Sequence, residues 1–207
     1  MRVVIPFDAN DPKTRLAPVL DPDERRHFAE AMLQDVIAAV EGLGHRPLVA
    51  SSSPVDVDVP TVVDDRPLTP LVDAAIAEGT PVAVVMADLP LATPASLARA
   101  FDAEAAIAIA PGRGGGTNVL VVREPAFRTD FHGASYRDHL ERARSIGTSV
   151  HEVDSFRLAT DVDDPSDFVD VLVHGDGRAN AWLRDAGFRI AVEGGDPRAT
   201  RNENDRH

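Results

Sequence analysis

The chain has 207 residues, 43% of them hydrophobic, which suits one domain with its own core and excludes general disorder. Twenty-one basic against thirty-four acidic residues leave a formal charge of -13, which repels phosphate backbones and anionic bilayers and excludes nucleic acid as a main partner. With no cysteine there is no disulfide or thiolate site, so any metal must sit on oxygen or imidazole.

Arg2 to Phe7 reads as a buried strand whose exit loop is Asp8 to Arg15. Met1 leads straight into this run without a signal peptide, and no apolar stretch approaches the roughly 20 residues that span a bilayer, so a soluble cytoplasmic protein is expected. Asp21-Pro22-Asp23-Glu24 is a helix start with a capping box, and Phe28, Met32, Val36 and Val40 repeat at helical spacing until Gly42 and Gly44. Strands follow at Pro47 to Ala50 and Thr61 to Val63, a helix from Thr69-Pro70 to Ala77, and the most apolar strand at Val82 to Met86. A helix from Pro94 to Phe101, with Thr93 as its cap, precedes a strand at Ala105 to Ala110.

Alternation of this kind predicts an α/β three-layer domain with a mostly parallel sheet. The stretches Thr117 to Val122 and Ser149 to Val153 break it and predict added mixed strands. A helix opens at Asp164-Pro165, another surrounds Trp182, and a final strand covers Phe188 to Val192. Residues 1–192 are thus expected to form a single domain and the polar residues 193–207 a flexible tail.

Ligands of open parallel sheets bind at the carboxyl ends of the strands, so residues just after the apolar runs are the candidates. Pro12-Lys13-Thr14-Arg15 brings two cations and a hydroxyl to the first loop, equipment suited to phosphates; a solvated turn paired with local aspartates is the alternative. Lys13 is the one lysine beside twenty arginines, and aspartates outnumber glutamates. That bias fits a very salty cytoplasm, or equally a GC-rich genome.

Asp88 stands alone after the central strand, where a carboxylate is costly unless hydrated, paired or metal-bound. In Asp161-Val162-Asp163, alternation puts both carboxylates on one side, where a shared cation relieves their repulsion, while Asp164 before Pro165 is a cap. Gly114-Gly115-Gly116-Thr117-Asn118 is a glycine-rich turn suited to close backbone approach, with a flexible hairpin as the alternative. Ser135 begins a helix running to Ile146, as an anion site or a simple cap. His27 and His139 read as surface or packing residues. Asp64, Asp65 and Asp73 lie in the region after the third strand, where solvated or capping roles suit them.

Taken together, P-K-T-R-L at 12–16 with P-V-L-D-P-D-E-R at 18–25, A-D-L-P-L at 87–91, G-G-T-N at 115–118, F-H-G-A-S at 131–135 and D-V-D-D-P-S-D at 161–167 resemble the 2-phospho-L-lactate guanylyltransferases of coenzyme F-420 biosynthesis. The resemblance runs from Val3 to about Ile190. It implies a GT-A-like, Rossmann-like nucleotidyltransferase fold, a haloarchaeal source, and transfer of GMP from GTP to the phosphate of 2-phospho-L-lactate. By position it implies that Asp88, Asp161 and Asp163 hold Mg2+, in two ions, and that Lys13 contacts phosphate, where the loop reading adds Arg15. Thr117 and Ser135 would bind the phosphorylated carboxylic acid; the residue reading adds Asn118 and His132 to that side and, once GTP is implied, puts Asp65, with Asp64 and Asp73, where acceptors for guanine could reach, solvated or capping roles being the alternative. His132 departs from the glycine common at its position and is expected to narrow the acid site or add a donor. Other acceptors, namely phosphoenolpyruvate, 3-phosphoglycerate or a sugar phosphate, are the alternatives within enzymes, and a GTP-binding regulatory protein the alternative outside them. A homodimer is compatible with the family.

Overall fold

A computed structural model describes residues 1–201. The order of elements is strand β1 (Arg2–Phe7), helix α1 (Pro22–Glu41), β2 (Leu48–Ser51), β3 (Thr61–Val63), α2 (Leu68–Glu78), β4 (Val82–Val85) and α3 (Pro94–Phe101). Then come β5 (Ile107–Pro111), β6 (Thr117–Val122), α4 (Ser135–Ser145), β7 (Val150–Glu152), α5 (Phe156–Ala159), α6 (Phe168–His174), α7 (Arg178–Asp185), β8 (Phe188–Glu193) and β9 (Asp196–Arg201).

Seven strands form one sheet in the order β3-β2-β1-β4-β6-β5-β7. Every neighbouring pair is parallel except those made by β6, which runs against both β4 and β5. The mostly parallel mixed sheet expected from the alternation is therefore present. Residues on alternate sides of the strands bury two cores. Val3, Ile5, Ala83, Val85, Val119 and Val121 pack against α1, α3, α6 and α7, while Val4, Val84, Ile109, Leu120 and Val122 pack against α2 and α4. Each large aliphatic or aromatic side chain removed from water contributes roughly 1.5–3 kcal/mol, and Phe28, Phe127, Phe168 and Ile5 are all fully buried.

Local chemistry explains the element ends. The Asp21 side chain accepts from Glu24 N at 2.9 Å, and Glu24 Oε2 accepts from Asp21 N at 3.0 Å, the reciprocal capping box that starts α1. The Thr93 and Ser96 side chains do the same for α3. Strand order reverses between β1 and β4, so the loops after these two strands border the crevice where such sheets bind ligands.

The tail expectation needs correction. Residues 196–201, assigned to a flexible tail from their polar composition, form β9 and pair along their length with β8. The turn between them is two glycines, Gly194 at φ 63° and Gly195 at φ 96°, both in the left-handed region that a tight hairpin of this twist requires. Arg201 closes the hairpin onto the body: its guanidinium lies 5.4 Å over the Phe188 ring and bonds Glu24 at 2.6 Å. Residues 202–207, the rest of that expected tail, lie outside the described residues. Among the described residues no helix is long and apolar enough to cross a membrane.

Candidate active site

Lys13 stands at the head of the first crevice loop with φ 55° and ψ 46°, the one positive-φ residue other than glycine among those described. A left-handed conformation costs a side-chain-bearing residue roughly 1–2 kcal/mol, so it persists only where the surroundings fix it. Here they do. Arg25 of α1, buried beneath the loop, donates from Nη1 to the Pro12 carbonyl and to Asp11 Oδ1, both at 2.8 Å.

The ammonium of Lys13 bridges two distant carboxylates, Asp88 Oδ2 at 2.6 Å and Asp163 Oδ1 at 2.9 Å, and Arg15 adds a second cation to Asp163 at 3.2 Å. Burial alone depresses the Lys13 pKa, but Asp88 and then Asp163 outweigh it and leave the amine well above its ordinary value. It is a permanent cation.

The two acidic segments are joined by main chain. Val162 N–H donates to the Asp88 carbonyl at 3.1 Å, and the Val162 side chain is fully buried; of the aspartates on either side of it, Asp163 lines the crevice and Asp161 faces Asn118. Asp161 accepts from Asn118 Nδ2 at 3.1 Å. Its pKa is raised, first by burial and further by the charge of Asp88, which outweigh that hydrogen bond. Asp88 Oδ1 is buried without any hydrogen-bond partner. Asp164, expected to cap, donates its N–H to Asp167 at the start of the following turn.

The three carboxylates do not close into a ready-made set of metal ligands among the described residues. The ammonium of Lys13 lies between Asp88 and Asp163 instead. A cavity of about 380 Å3 opens beside it, lined by Lys13, Arg15, Asp88 and Asp163 with Met32 and Met86, within the ~300–1,000 Å3 typical of small-molecule sites.

On the other side of the sheet edge lies a second polar group. The register of β5 against β6 shifts between Ala110 and Pro111, so that Ala110 faces Val119 and Pro111 faces Thr117, and Asn118 is the extra residue of a β-bulge. Asn118 therefore shares the face of Val119. Its amide donates to the Leu158 carbonyl at 2.9 Å as well as to Asp161, and Gly112 lies so close that a Cβ there would meet Asn118 Oδ1 at 2.7 Å.

Thr117 is turned to the opposite face, where Ser135 Oγ donates to its hydroxyl at 3.1 Å and His139 Nδ1 lies 2.9 Å away. Ser135 is thus no cap: α4 begins without a side-chain cap, and the serine is spent on Thr117. Arg113 pins the glycine loop by bonding Asp167 and Asp170 of the α6 region at 2.8 and 2.7 Å.

His132 does not join this group. Its Nδ1 accepts from Ala134 N and its Nε2 bonds Asp138, so the donor expected for the acid is engaged on α4. The base-side aspartates are scattered: Asp64 pairs with Arg66, Asp73 accepts from Thr129, and Asp65 is exposed after β3. His139 and Arg25 are the site residues that the sequence reading passed over. A four-residue step from Ser135 puts His139 on the same helix face and was the available signal.

Two expected results follow from these two residues. Replacing Arg25 with alanine leaves the Pro12 carbonyl without its buried donor and is expected to destabilise by about 1–3 kcal/mol, read by urea unfolding. Unchanged stability would mean that the loop holds itself. Burial first, and the Arg142 charge with it, lower the His139 pKa from 6.5 to about 4. Between these values the unfolded chain binds a proton that the folded chain refuses. This stabilisation, about 3 kcal/mol, is complete above pH 6.5 and is lost as the pH falls toward 4. Comparing the pH dependence of unfolding of the wild type and His139→Asn tests it, since the variant should show a flatter slope across that window.

Comparison with known proteins adds the following. A family model described as guanylyl transferase CofC like matches residues 1–203. A 2-phospho-L-lactate guanylyltransferase of Haloferax volcanii is 58% identical over 97% of this chain and 98% of its own. The protein of the same description from Halomicrobium mukohataei is 56% identical over 94% of this chain and 97% of its own. Among solved structures, a nucleotide-diphospho-sugar transferase described from Desulfovibrio desulfuricans G20 superposes with a TM-score of 0.72 at 18% identity, covering 89% of this chain and 95% of its own. The bifunctional IspDF of Campylobacter jejuni does so with a TM-score of 0.54 at 10% identity, over 86% of this chain and 55% of its own. These two share the GT-A-like fold with this chain.

Proposed function

The chain belongs to the guanylyl transferase CofC-like family, and from that premise we propose that it moves GMP from GTP onto the phosphate of 2-phospho-L-lactate, giving lactyl-2-diphospho-5'-guanosine and pyrophosphate in coenzyme F-420 biosynthesis. The observation that carries this reading is the full-length similarity to haloarchaeal guanylyltransferases. Supporting it, residues 75 and 150 positions apart meet at one ammonium on the strand edge where ligands of such sheets bind.

In the reaction, an oxygen of the acceptor phosphate attacks the α-phosphorus of GTP, a new P–O bond forms, the bond to the β-phosphate breaks, and pyrophosphate carries away the electron pair. A phosphomonoester has its second pKa near ~6 and is already largely dianionic at neutral pH, so no general base is needed. What is needed is compensation of several anions in one place. Lys13 supplies a fixed charge, and Arg15, more exposed, supplies a mobile one.

The donor set fits magnesium, a hard cation that takes carboxylate oxygen: Asp88 offers a buried oxygen with no other partner, and Asp161 a carboxylate that burial and like charge hold in an unfavourable state. Asp88, Asp161 and Asp163 would hold one or two Mg2+. When bound, the ion neutralises phosphate oxygens as a Lewis acid. Thr117 and Ser135, on the other side of the edge, hold the acid end of the acceptor, and the glycine loop leaves room beside them.

Pyrophosphate release in molar KCl with GTP and 2-phospholactate, with product mass measured, tests the proposal. Turnover with a sugar phosphate alone would overturn it, phosphoenolpyruvate or 3-phosphoglycerate as the sole substrate would move it to another acid, and GTP binding without release would favour a regulatory protein.

A further inference from the structure

His139 is buried to 1% exposure, lies behind the acceptor pair, and takes no part in the reaction as derived. Its two ring nitrogens have different partners. Asp130 N–H points at Nε2 from 2.9 Å, and a backbone amide can only donate, so Nε2 must be the acceptor. In a neutral ring the hydrogen then sits on Nδ1, and Nδ1–H donates to Thr117 Oγ1 at 2.9 Å. The lowered pKa agrees with a neutral ring at working pH.

The consequence is a count of hydrogens. Thr117 and Ser135 bring two hydroxyl hydrogens, and the bond between them uses one. Were Nδ1 an acceptor, it would take the other, and the pair would offer a ligand only lone pairs. With Nδ1–H donating, one hydroxyl hydrogen is left over, and no protein group among the described residues is seen to accept it. Both hydroxyls are buried, so the leftover donor calls for an oxygen to accept it, and an anionic oxygen is the strongest acceptor that could fill the place. The loop leading into Thr117 borders open space, since a Cβ at Gly114 or Gly116 would touch nothing within 4 Å. The start of the eleven-residue helix α4 adds its positive end.

We propose that His139 is a positioning residue for the acceptor: its imidazole, locked with hydrogen on Nδ1, turns the Thr117–Ser135 hydroxyl pair into a hydrogen-bond donor for an anionic oxygen of the phosphorylated acid. The assignment rests on the proposed transfer reaction for the identity of that acid. Asp130 meets the ring through its backbone amide, while its carboxylate is paired with Arg142.

The test is a double-mutant cycle on the full chain in molar KCl, using Thr117→Val, His139→Ala and the pair together, with separate KM values for GTP and for 2-phospholactate. Each single variant is expected to raise the acceptor KM about tenfold or more, the loss of a hydrogen bond to a charged group, while the GTP KM stays within about twofold. The double variant should be no worse than Thr117→Val, because His139 acts through that hydroxyl. His139→Asn, whose amide nitrogen falls where Nδ1 stood, should recover most of the acceptor KM.

Fully additive losses, or equal loss on both substrates, would overturn the proposal, as a merely structural histidine predicts. Ring nitrogen-15 shifts of the wild type read the tautomer independently of activity or of any variant's folding, and hydrogen on Nε2 would overturn it too. If the wild type makes no guanylylated product, the transfer reaction fails; the tautomer, with 2-phospholactate binding by calorimetry across the same variants, then still decides the role of His139.

Discussion

Asp88→Asn is expected to lower the rate of pyrophosphate release by about 10³-fold while the protein stays folded. The substitution preserves volume but removes the charge of a buried carboxylate whose Oδ1 has no hydrogen-bond partner among the described residues. An amide there is a poorer ligand for a hard cation and leaves Asp161 and Asp163 to hold it without their neighbour. Folding should survive, because Lys13 keeps Asp163 at 2.9 Å and Arg15 reinforces that carboxylate. Loss of the Asp88 charge also relieves Asp161, whose raised pKa owes part of its shift to that charge. Initial rates at saturating GTP with a magnesium titration, alongside thermal unfolding, check both halves. A rate within tenfold of wild type would remove Asp88 from the chemistry.

Lys13→Met is expected to cost about 10²–10³-fold in kcat/KM and, unlike the Asp88 change, to destabilise as well. It strips the bridging cation from two carboxylates and leaves Arg15, largely exposed, as the remaining cation on Asp163 among the described residues. Removing one member of a fully buried pair costs ~3–5 kcal/mol; partial exposure of Asp163 reduces this to about 1–2 kcal/mol. Lys13→Gly separates charge from backbone strain. It loses the same ammonium but accepts φ 55° freely, so it should be as inactive as the methionine variant and more stable by about 1 kcal/mol. Lys13→Arg should not restore wild-type rates, since a planar fork on a longer stem cannot meet Asp88 and Asp163 as a point charge does. Equal stability of the glycine and methionine variants would show that the loop carries no strain at this position.

Much of the fold was legible because the relevant signals are local. The capping boxes at Asp21 and Thr93, the apolar runs of β1 and β4, and the buried Val162 between two less buried aspartates are all decided within a few residues. The residues of the crevice were legible as types and places in the chain, yet their pairing was not. That Lys13 lies between Asp88 and Asp163 depends on how three loops meet.

The other failures have physical causes too. Polar composition concealed β9, although two adjacent glycines flanked by pairable residues were the hairpin signal. The polar sequence of α4 concealed a histidine buried on its inner face. Strict alternation along β6 would have set Thr117 beside Val119 on the face of α1, and only the inserted residue at Asn118 reverses this.

That single inserted residue gives the protein a division of labour. Because Asn118 and Thr117 leave the strand in opposite directions, Asn118 joins the Asp161 side of the sheet, and Thr117 meets Ser135 and His139 of α4 on the other. If the proposed reaction holds, selection acting on α4 and its approach would retune which acid is admitted without disturbing Lys13, Asp88 and Asp163 on the other side. A change of acceptor in a descendant of this chain should therefore be written in residues 131–139, with 12–15, 88 and 161–163 left as they are.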